Sequence, residues 1–265
     1  MIVQQYNAIY IRLAMPYRVH DPPDAVKMED FKELICTFGL ALPGGGVTSP
    51  LALSDILGRI KGRPEERLIN QVLLRSMKQA KYEAENRGHF GLASATYTHF
   101  TSPIRRYPDL IIHRLLKRVM KGRMAEDEKA DWKQRLPEIA RHASERERLS
   151  MEAEREVIQR KRVKFMVDKV EALYEGVVTG VAAYGLFVEL KPFFVEGFLH
   201  ISALPDDYYL YDEKRHLLIG EHQRKVFRLG DPIVIRVRSV DVENMKIDFE
   251  LAPTGKKSVK RPSKN

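Results

Sequence analysis

The chain has 265 residues, 44% hydrophobic and 31% charged, and its Lys and Arg outnumber Asp and Glu by nine. That composition supports a packed core over one large or two smaller domains, and the basic excess favours polyanionic partners. No apolar run approaches the ~20 residues of a membrane span, and the first residues lack the parts of a secretory signal, so the cytoplasm is the expected location and no membrane partner is expected. The one cysteine, Cys36, excludes an internal disulfide and a cysteine-ligated zinc. Five basic residues and no acidic one fall within Lys256–Asn265. This tail, from residue 253 onward, serves either solubility or non-specific attraction to phosphates.

Residues 1–122 read mainly as helices separated by punctuated loops. Asp24 is placed to cap a helix with Phe31, Leu34, Ile35 and Phe38 inward and Gly39 at its end. Gly44–Gly46 reads as a flexible turn, and Ser49-Pro50 as a cap with a first-turn proline. Pro64 opens a helix through Leu68, Val72, Leu73 and Met77. Asp109–Lys121 forms another, with Leu110, Ile112, Leu115, Leu116 and Val119 inward.

Just before that last helix stands Thr101-Ser102-Pro103-Ile104-Arg105-Arg106-Tyr107-Pro108-Asp109. Ser102-Pro103 has the form of a helix start, Pro108 ends that short turn, and Asp109 can cap the next helix. Two helix N-termini, both attractive to anions, are therefore expected close together, with Arg105 and Arg106 in the first turn. Arginine's planar fork suits a phosphate, and pairing with Asp109 is the competing use.

Residues 123–171 are strongly charged. Pro137 is expected to divide two helices there, the second carrying a sparse stripe of Leu149, Val157, Ile158, Phe165 and Met166. Trp132 reads as a packing anchor. From Leu173 the period becomes two, and five strands are expected near 173–181, 186–190, 197–202, 232–240 and 246–251, forming a small barrel over 172–252. Alternation assigns Leu186, Val188, Leu190, Leu199, Ile233, Ile235, Val237, Ile247 and Phe249 to the core. It leaves Phe187, Phe198 and His200 on the other face, among Arg236, Arg238 and Lys246, with Tyr184 at the preceding turn. The rings either extend the core at the barrel end or offer stacking surfaces to bases, while the cations track phosphates. The long stretch Leu204–Leu229 reads as a turn followed by a packed aromatic cluster of Tyr208, Tyr209 and Tyr211, with a paired-carboxylate role for Asp206-Asp207 as the alternative.

Other chemistries lack their motifs. None of the eight histidines forms an i, i+4 pair, and no Walker loop or G-x-S-x-G elbow occurs. His89, His99 and His113 read as structural or substrate contacts rather than metal ligands.

The segment Tyr184-Gly185-Leu186-Phe187-Val188-Glu189-Leu190 followed by Glu196-Gly197-Phe198-Leu199-His200-Ile201-Ser202 resembles an S1 RNA-binding domain, an OB-fold variant. The resemblance implies that Tyr184, Phe187 and His200 hold single-stranded RNA, and it matches Asp241 and Lys246 to the family's polar positions. The segments Gly88–Ala93 and Tyr97–Leu116, with Tyr17–Asp24 and Lys61–Tyr82, resemble the end of the RNB catalytic domain of the ribonuclease II/R exoribonucleases. The fold implied is α+β: a mainly helical C-terminal part of an RNB domain, then a five-stranded antiparallel OB-fold barrel. The activity implied is hydrolysis of RNA from its 3′ end to nucleoside 5′-monophosphates with magnesium, Arg105 matching the family's catalytic arginine and Arg106 standing second.

The family's aspartate metal cluster lies upstream of every matching segment, and no counterpart occurs here, so no metal residue is assigned. The expected organisation is an RNB part to residue 122, a charged helical connector over 123–171, and the barrel. The poor likeness before Tyr17 points to a truncated or frame-shifted start, with a missing N-terminal half as a partner beside single-stranded RNA. Two readings stand: an exoribonuclease polypeptide completed by that half, or a non-catalytic RNA-binding fragment.

Overall fold

The computed structural model describes residues 14–43, 48–63, 65–122, 124–191, 193–213 and 215–252. The expected Gly44–Gly46 turn, Pro64 and the basic tail lie outside the described residues. The chain divides into two compact units, one of residues 1–33, 40–59 and 72–152, the other of residues 34–39, 60–71 and 153–265.

The first unit takes in a short antiparallel pair, β1 (Tyr17–Val19) with β2 (Lys81–Glu83), and helical segments. Helix α1 spans Ala25–Thr37, and Asp24 Oδ1 accepts the N–H groups of Val26 and Lys27, so the expected cap is made. Helix α2 spans Pro50–Ile60, with Ser49 Oγ accepting the N–H of Ala52. Helix α3 covers Glu66–Ser76 and helix α4 Tyr107–Lys121. The buried residues of α4 are Pro108, Asp109, Ile111, Ile112 and Leu115, so a carboxylate stands where the hydrophobic pattern placed none. Ile111 and Leu115 pack with Met124 and Leu136, and Trp132 joins this cluster as an anchor.

The connector differs from expectation twice. Helix α5 runs unbroken from Glu126 to Met166 with Pro137 inside it. Pro137 is exposed while its neighbours Leu136 and Ala140 are buried, so packing of the flanking residues holds the helix through the position that cannot donate a hydrogen bond. Of the expected stripe only Met166 is buried: Leu149, Val157, Ile158 and Phe165 are exposed, and the other buried positions are Leu136, Ala140, Ala143 and Val163. Charged residues so dominate this helix that its few apolar ones cannot define a face by periodicity alone.

In the second unit, strands β3 (Leu173–Ala182), β4 (Gly185–Leu190), β5 (Val195–His200), β9 (Pro232–Asp241) and β10 (Lys246–Leu251) close a barrel in the order β10-β5-β4-β3-β9. Four pairings are antiparallel, but the closing pair, β10 with β5, is parallel, which corrects the all-antiparallel expectation. Strand β5 ends at His200, and Ile201–Ala203 turn into a short 3-10 helix. The expected inward set is buried, with Leu186, Val188, Leu190, Leu199, Ile235 and Val237 at 0% exposure. Glycines admit the close approaches this requires: a Cβ at Gly197 would stand 2.4 Å from the Phe249 ring.

Between β5 and β9 lies a three-stranded sheet that the sequence reading missed: β6 (Tyr209–Asp212), β7 (Leu217–Gly220) and β8 (Val226–Arg228). Tyr209 is buried against Phe227 (centroids 5.4 Å apart), whereas Tyr208 is exposed, so only part of the expected aromatic cluster forms. Asp206 and Asp207 are both committed internally. Asp206 accepts from the Tyr209 hydroxyl and the Lys225 ammonium, and Asp207 from the N–H groups of Tyr208, His222 and Gln223. Desolvation works to raise the Asp207 pKa, but the Gln223 N–H, the His222 ring and the other backbone donors outweigh it and hold the carboxyl well below the usual carboxylate range. A depressed folded-state value contributes stability above the unfolded carboxylate range that is lost as pH falls through it. Asp207→Asn is therefore expected to lower the melting temperature at neutral pH, with the deficit shrinking on acidification below pH 3.8, which a melting series across pH reads.

Candidate nucleic-acid interface

On the barrel, the rings of Tyr184, Phe187, Phe198 and His200 form one cluster. Phe187 and Phe198 are register partners on β4 and β5, with centroids 5.3 Å apart. Tyr184 stands 5.5 Å from Phe198, and Phe198 6.0 Å from His200. Tyr184 is 56% exposed, His200 is exposed, and Phe187 and Phe198 are partly so; the cluster is a surface and not an extension of the core. Two glycines shape it. A Cβ at Gly180 would meet the Phe187 ring at 3.1 Å, and one at Gly185 the Phe198 ring at 2.8 Å. His200 is fixed as the cap of the 3-10 helix: its Nδ1 accepts the Ser202 N–H at 3.2 Å and contacts Ser202 Oγ at 2.8 Å. That assigns the proton to Nε2, which is left to donate outward.

The cations do not surround these rings as expected. The register neighbour of Phe198 on β10 is Asp248, itself bonded to Ser239, and Glu196 pairs with Glu189 two residues along β4 and β5. Arg236 is held by Glu171 and Glu250, and its Nε is buried without a partner. Period-two alternation sorts side chains into faces but does not say which strands become neighbours once the barrel closes. Arg238 and Lys246 are exposed and carry no ion pair among the described residues. Asp241 closes the β9–β10 turn, accepting the Asn244 N–H at 2.9 Å and its side-chain amide at 2.7 Å, bonds that lower its pKa.

The second assembly lies in the first unit. Residues 102–105 form a turn and not a helix: the Ser102 carbonyl accepts the N–H groups of Arg105 (3.2 Å) and Arg106 (2.9 Å). Only α4 starts here, with Arg106 as its N-cap, so the expected pair of adjoining helix N-termini is a single one. Asp109 is not the cap. It is fully buried in the first turn of α4, and its Oδ2 accepts the Ser102 N–H at 2.8 Å and the Arg106 Nη2 at 2.9 Å. The two arginines thus part company. Arg106 turns inward to Asp109, with a second contact to Thr101, while Arg105 is exposed and makes no ion pair or side-chain hydrogen bond among the described residues. The neighbouring Ile104 is 97% exposed, marking the tip of a turn that projects into solvent.

Behind the turn is a network that the sequence reading did not assemble. The Tyr82 hydroxyl meets His99 Nδ1 at 2.7 Å, the Arg18 guanidinium lies 4.6 Å over the Tyr82 ring, and Arg18 pairs with Glu147 on α5. His113 stacks on Phe100 and bonds its carbonyl at 2.9 Å. Burial, then the nearby Arg106 and Arg18 guanidiniums, lower the His99 pKa to about 4; burial, then Glu147, raise Tyr82 to about 12. Tyr82 therefore donates to a neutral His99, and both His99 and His113 are bonded within the protein. Since the folded His99 value lies below the unfolded 6.5, the stability it contributes is present above pH 6.5 and lost as pH falls towards 4. His99→Gln is expected to flatten that acid limb of the unfolding curve, which denaturant titrations across this pH range measure.

Among the described residues no three His, Cys, Asp or Glu side chains come together as a metal would require, and no helix is long and apolar enough to cross a membrane.

Two family models match the chain: RNB domain over residues 4–122 and S1 RNA binding domain over residues 167–252. The first begins ahead of Tyr17, so the likeness extends further upstream than the expected start. Ribonuclease R 1 of Lactococcus lactis is 43% identical over 240 residues, covering 90% of this chain and 29% of its own length. Ribonuclease R of Aquifex aeolicus is 43% identical over 235 residues, covering 89% of this chain and 33% of its own. The chain thus spans about a third of the length of the curated relatives it matches. The structure of Mycoplasma genitalium RNase R in complex with ribose-methylated single-stranded RNA superimposes with a TM-score of 0.82 at 25% identity, covering 95% of this chain and 39% of that one.

Proposed function

Because this chain belongs to the ribonuclease R family over the third of that length which it spans, we propose that it contributes to 3′-to-5′ exonucleolytic hydrolysis of RNA to nucleoside 5′-monophosphates in the cytoplasm. The observation that carries this reading is the separation of the two arginines: Arg106 braces the turn, and Arg105 is held out of it with its fork unspent. Arg105 is assigned to the scissile phosphate, where a guanidinium stabilises the charge that develops as the bond to the leaving oxygen breaks. Tyr184, Phe187, Phe198 and His200 hold the single strand by stacking and by the outward N–H of His200, with Arg238 and Lys246 near phosphates. Arg236 and Asp241 fit this reading less well, being bonded within the barrel.

Magnesium is the metal such a reaction calls for, supplying charge neutralisation and an activated water. The described side chains do not fit it, since no three donors converge, and no step is drawn through it. The second reading is a non-catalytic segment that binds single-stranded RNA through the exposed rings of the barrel. Incubating the purified chain with a 3′-tailed single-stranded RNA, with and without magnesium, separates the two. Release of mononucleotides supports the first reading; intact RNA that is nonetheless bound supports the second.

Binding itself is expected to weaken as salt rises, because displaced counterions report phosphate contacts. Phe187→Ala and His200→Ala are expected to reduce affinity while leaving the barrel folded, the former by about 1–3 kcal/mol, the worth of one stacked base. Loss of folding in either variant without a separate loss of binding would return the rings to a packing role.

A further inference from the structure

Asp109 lies directly behind the turn that presents Arg105, and its arrangement is hard to explain by stability. It is fully buried, and among the described residues neither its Oδ1 nor the Arg106 Nε has a hydrogen-bond partner. A buried carboxylate with one bare oxygen and a single-armed ion pair is a costly way to hold a core, and an apolar residue of similar size serves that end as well or better. What Asp109 does achieve is geometric. Its Oδ2 fixes the N–H of Ser102 at 2.8 Å, and the carbonyl of the same residue receives the N–H groups of Arg105 and Arg106. Its other contact draws the Arg106 side chain inward at 2.9 Å.

We propose that Asp109 is a positioning residue for Arg105: by holding Ser102 at its nitrogen and Arg106 at its guanidinium, it sets the turn so that only Arg105 projects towards a phosphate. This rests on the reading that Arg105 meets the RNA backbone. The sequence reading placed Asp109 at the start of α4 as a cap, a role it does not fill.

The test uses the whole chain and does not depend on turnover. Phenylglyoxal modification of Arg105 and Arg106 is followed by mass spectrometry with and without a single-stranded oligouridylate. In the unaltered chain the oligonucleotide is expected to slow modification of Arg105, while Arg106 reacts poorly either way. Asp109→Leu is expected to abolish the protection of Arg105 and make Arg106 reactive, with oligouridylate affinity through the barrel unchanged. Asp109→Asn keeps an oxygen for the Ser102 N–H and is expected to restore most of the protection, a rescue that a role confined to the ion pair would not give. Should Asp109→Leu fail to fold, Ser102→Pro removes the N–H and leaves the ion pair, and the same loss of protection is expected. Protection that persists in a folded Asp109→Leu or Ser102→Pro chain overturns the positioning role alone. An Arg105 left unprotected in the unaltered chain overturns the phosphate assignment, and the positioning role falls with it.

Discussion

Arg105→Ala, made in a full-length enzyme containing this segment, is expected to lower turnover by a factor on the order of 10²–10³ while leaving RNA affinity nearly unchanged. Among the described residues the Arg105 side chain makes no ion pair or hydrogen bond, so its removal costs the fold little, and on the proposed reading the rings of the barrel supply binding without it. Arg105→Lys keeps the charge but loses the planar fork, and is expected to recover only part of the rate. The neighbouring substitution should behave differently. Arg106→Ala leaves the buried Asp109 with no cation and is expected to destabilise the first unit by about 3 kcal/mol. Single-turnover kinetics beside denaturant unfolding distinguishes a catalytic loss at 105 from a structural loss at 106. Wild-type turnover in Arg105→Ala would remove the assignment.

Gly185→Val is expected to abolish the barrel's stable fold, with a loss of about 4 kcal/mol or more. Gly185 has φ +151°, a conformation that side chains rarely adopt, and a Cβ there would stand 2.3 Å from the Leu199 carbonyl oxygen and 2.8 Å from the Phe198 ring. The carbonyl belongs to a strand paired with β4 over its whole length and cannot retreat without breaking that ladder. Gly185→Ala places the same Cβ without the valine methyls, so it too is expected to destabilise the barrel and, where the barrel survives, to displace the Phe198 ring and weaken RNA binding. Chemical denaturation and binding by fluorescence anisotropy read the two effects, and a valine variant as stable as the parent would contradict the geometry.

Much of this protein is written locally. The caps Asp24 and Ser49, the barrel strands and their inward residues follow from short-range rules of side-chain bonding and alternation, which is why they are legible in the chain itself. The exposed ring cluster belongs here too, because residues two apart on one strand, and their partners across a hairpin, must share a face. An i, i+3 spacing from Arg106 to Asp109 also carried the signal of their pairing, though a capping role competed for the same aspartate.

Other features depended on which elements meet. The placement of Asp248 beside Phe198 arises from the parallel closure of β10 on β5, and the fate of Arg236 from its place between Glu171 and Glu250. Neither is visible along a single strand. The sheet β6–β8 went unread because its strands are only three or four residues long, too short for alternation to declare itself. Alone, the order of residues determined the strand faces, the caps at Asp24 and Ser49 and the presence of two adjacent arginines. Only the folded chain decided that one arginine turns inward and the other outward, because that choice rests on a carboxylate buried by long-range packing, where a charge must find its partner or remain uncompensated.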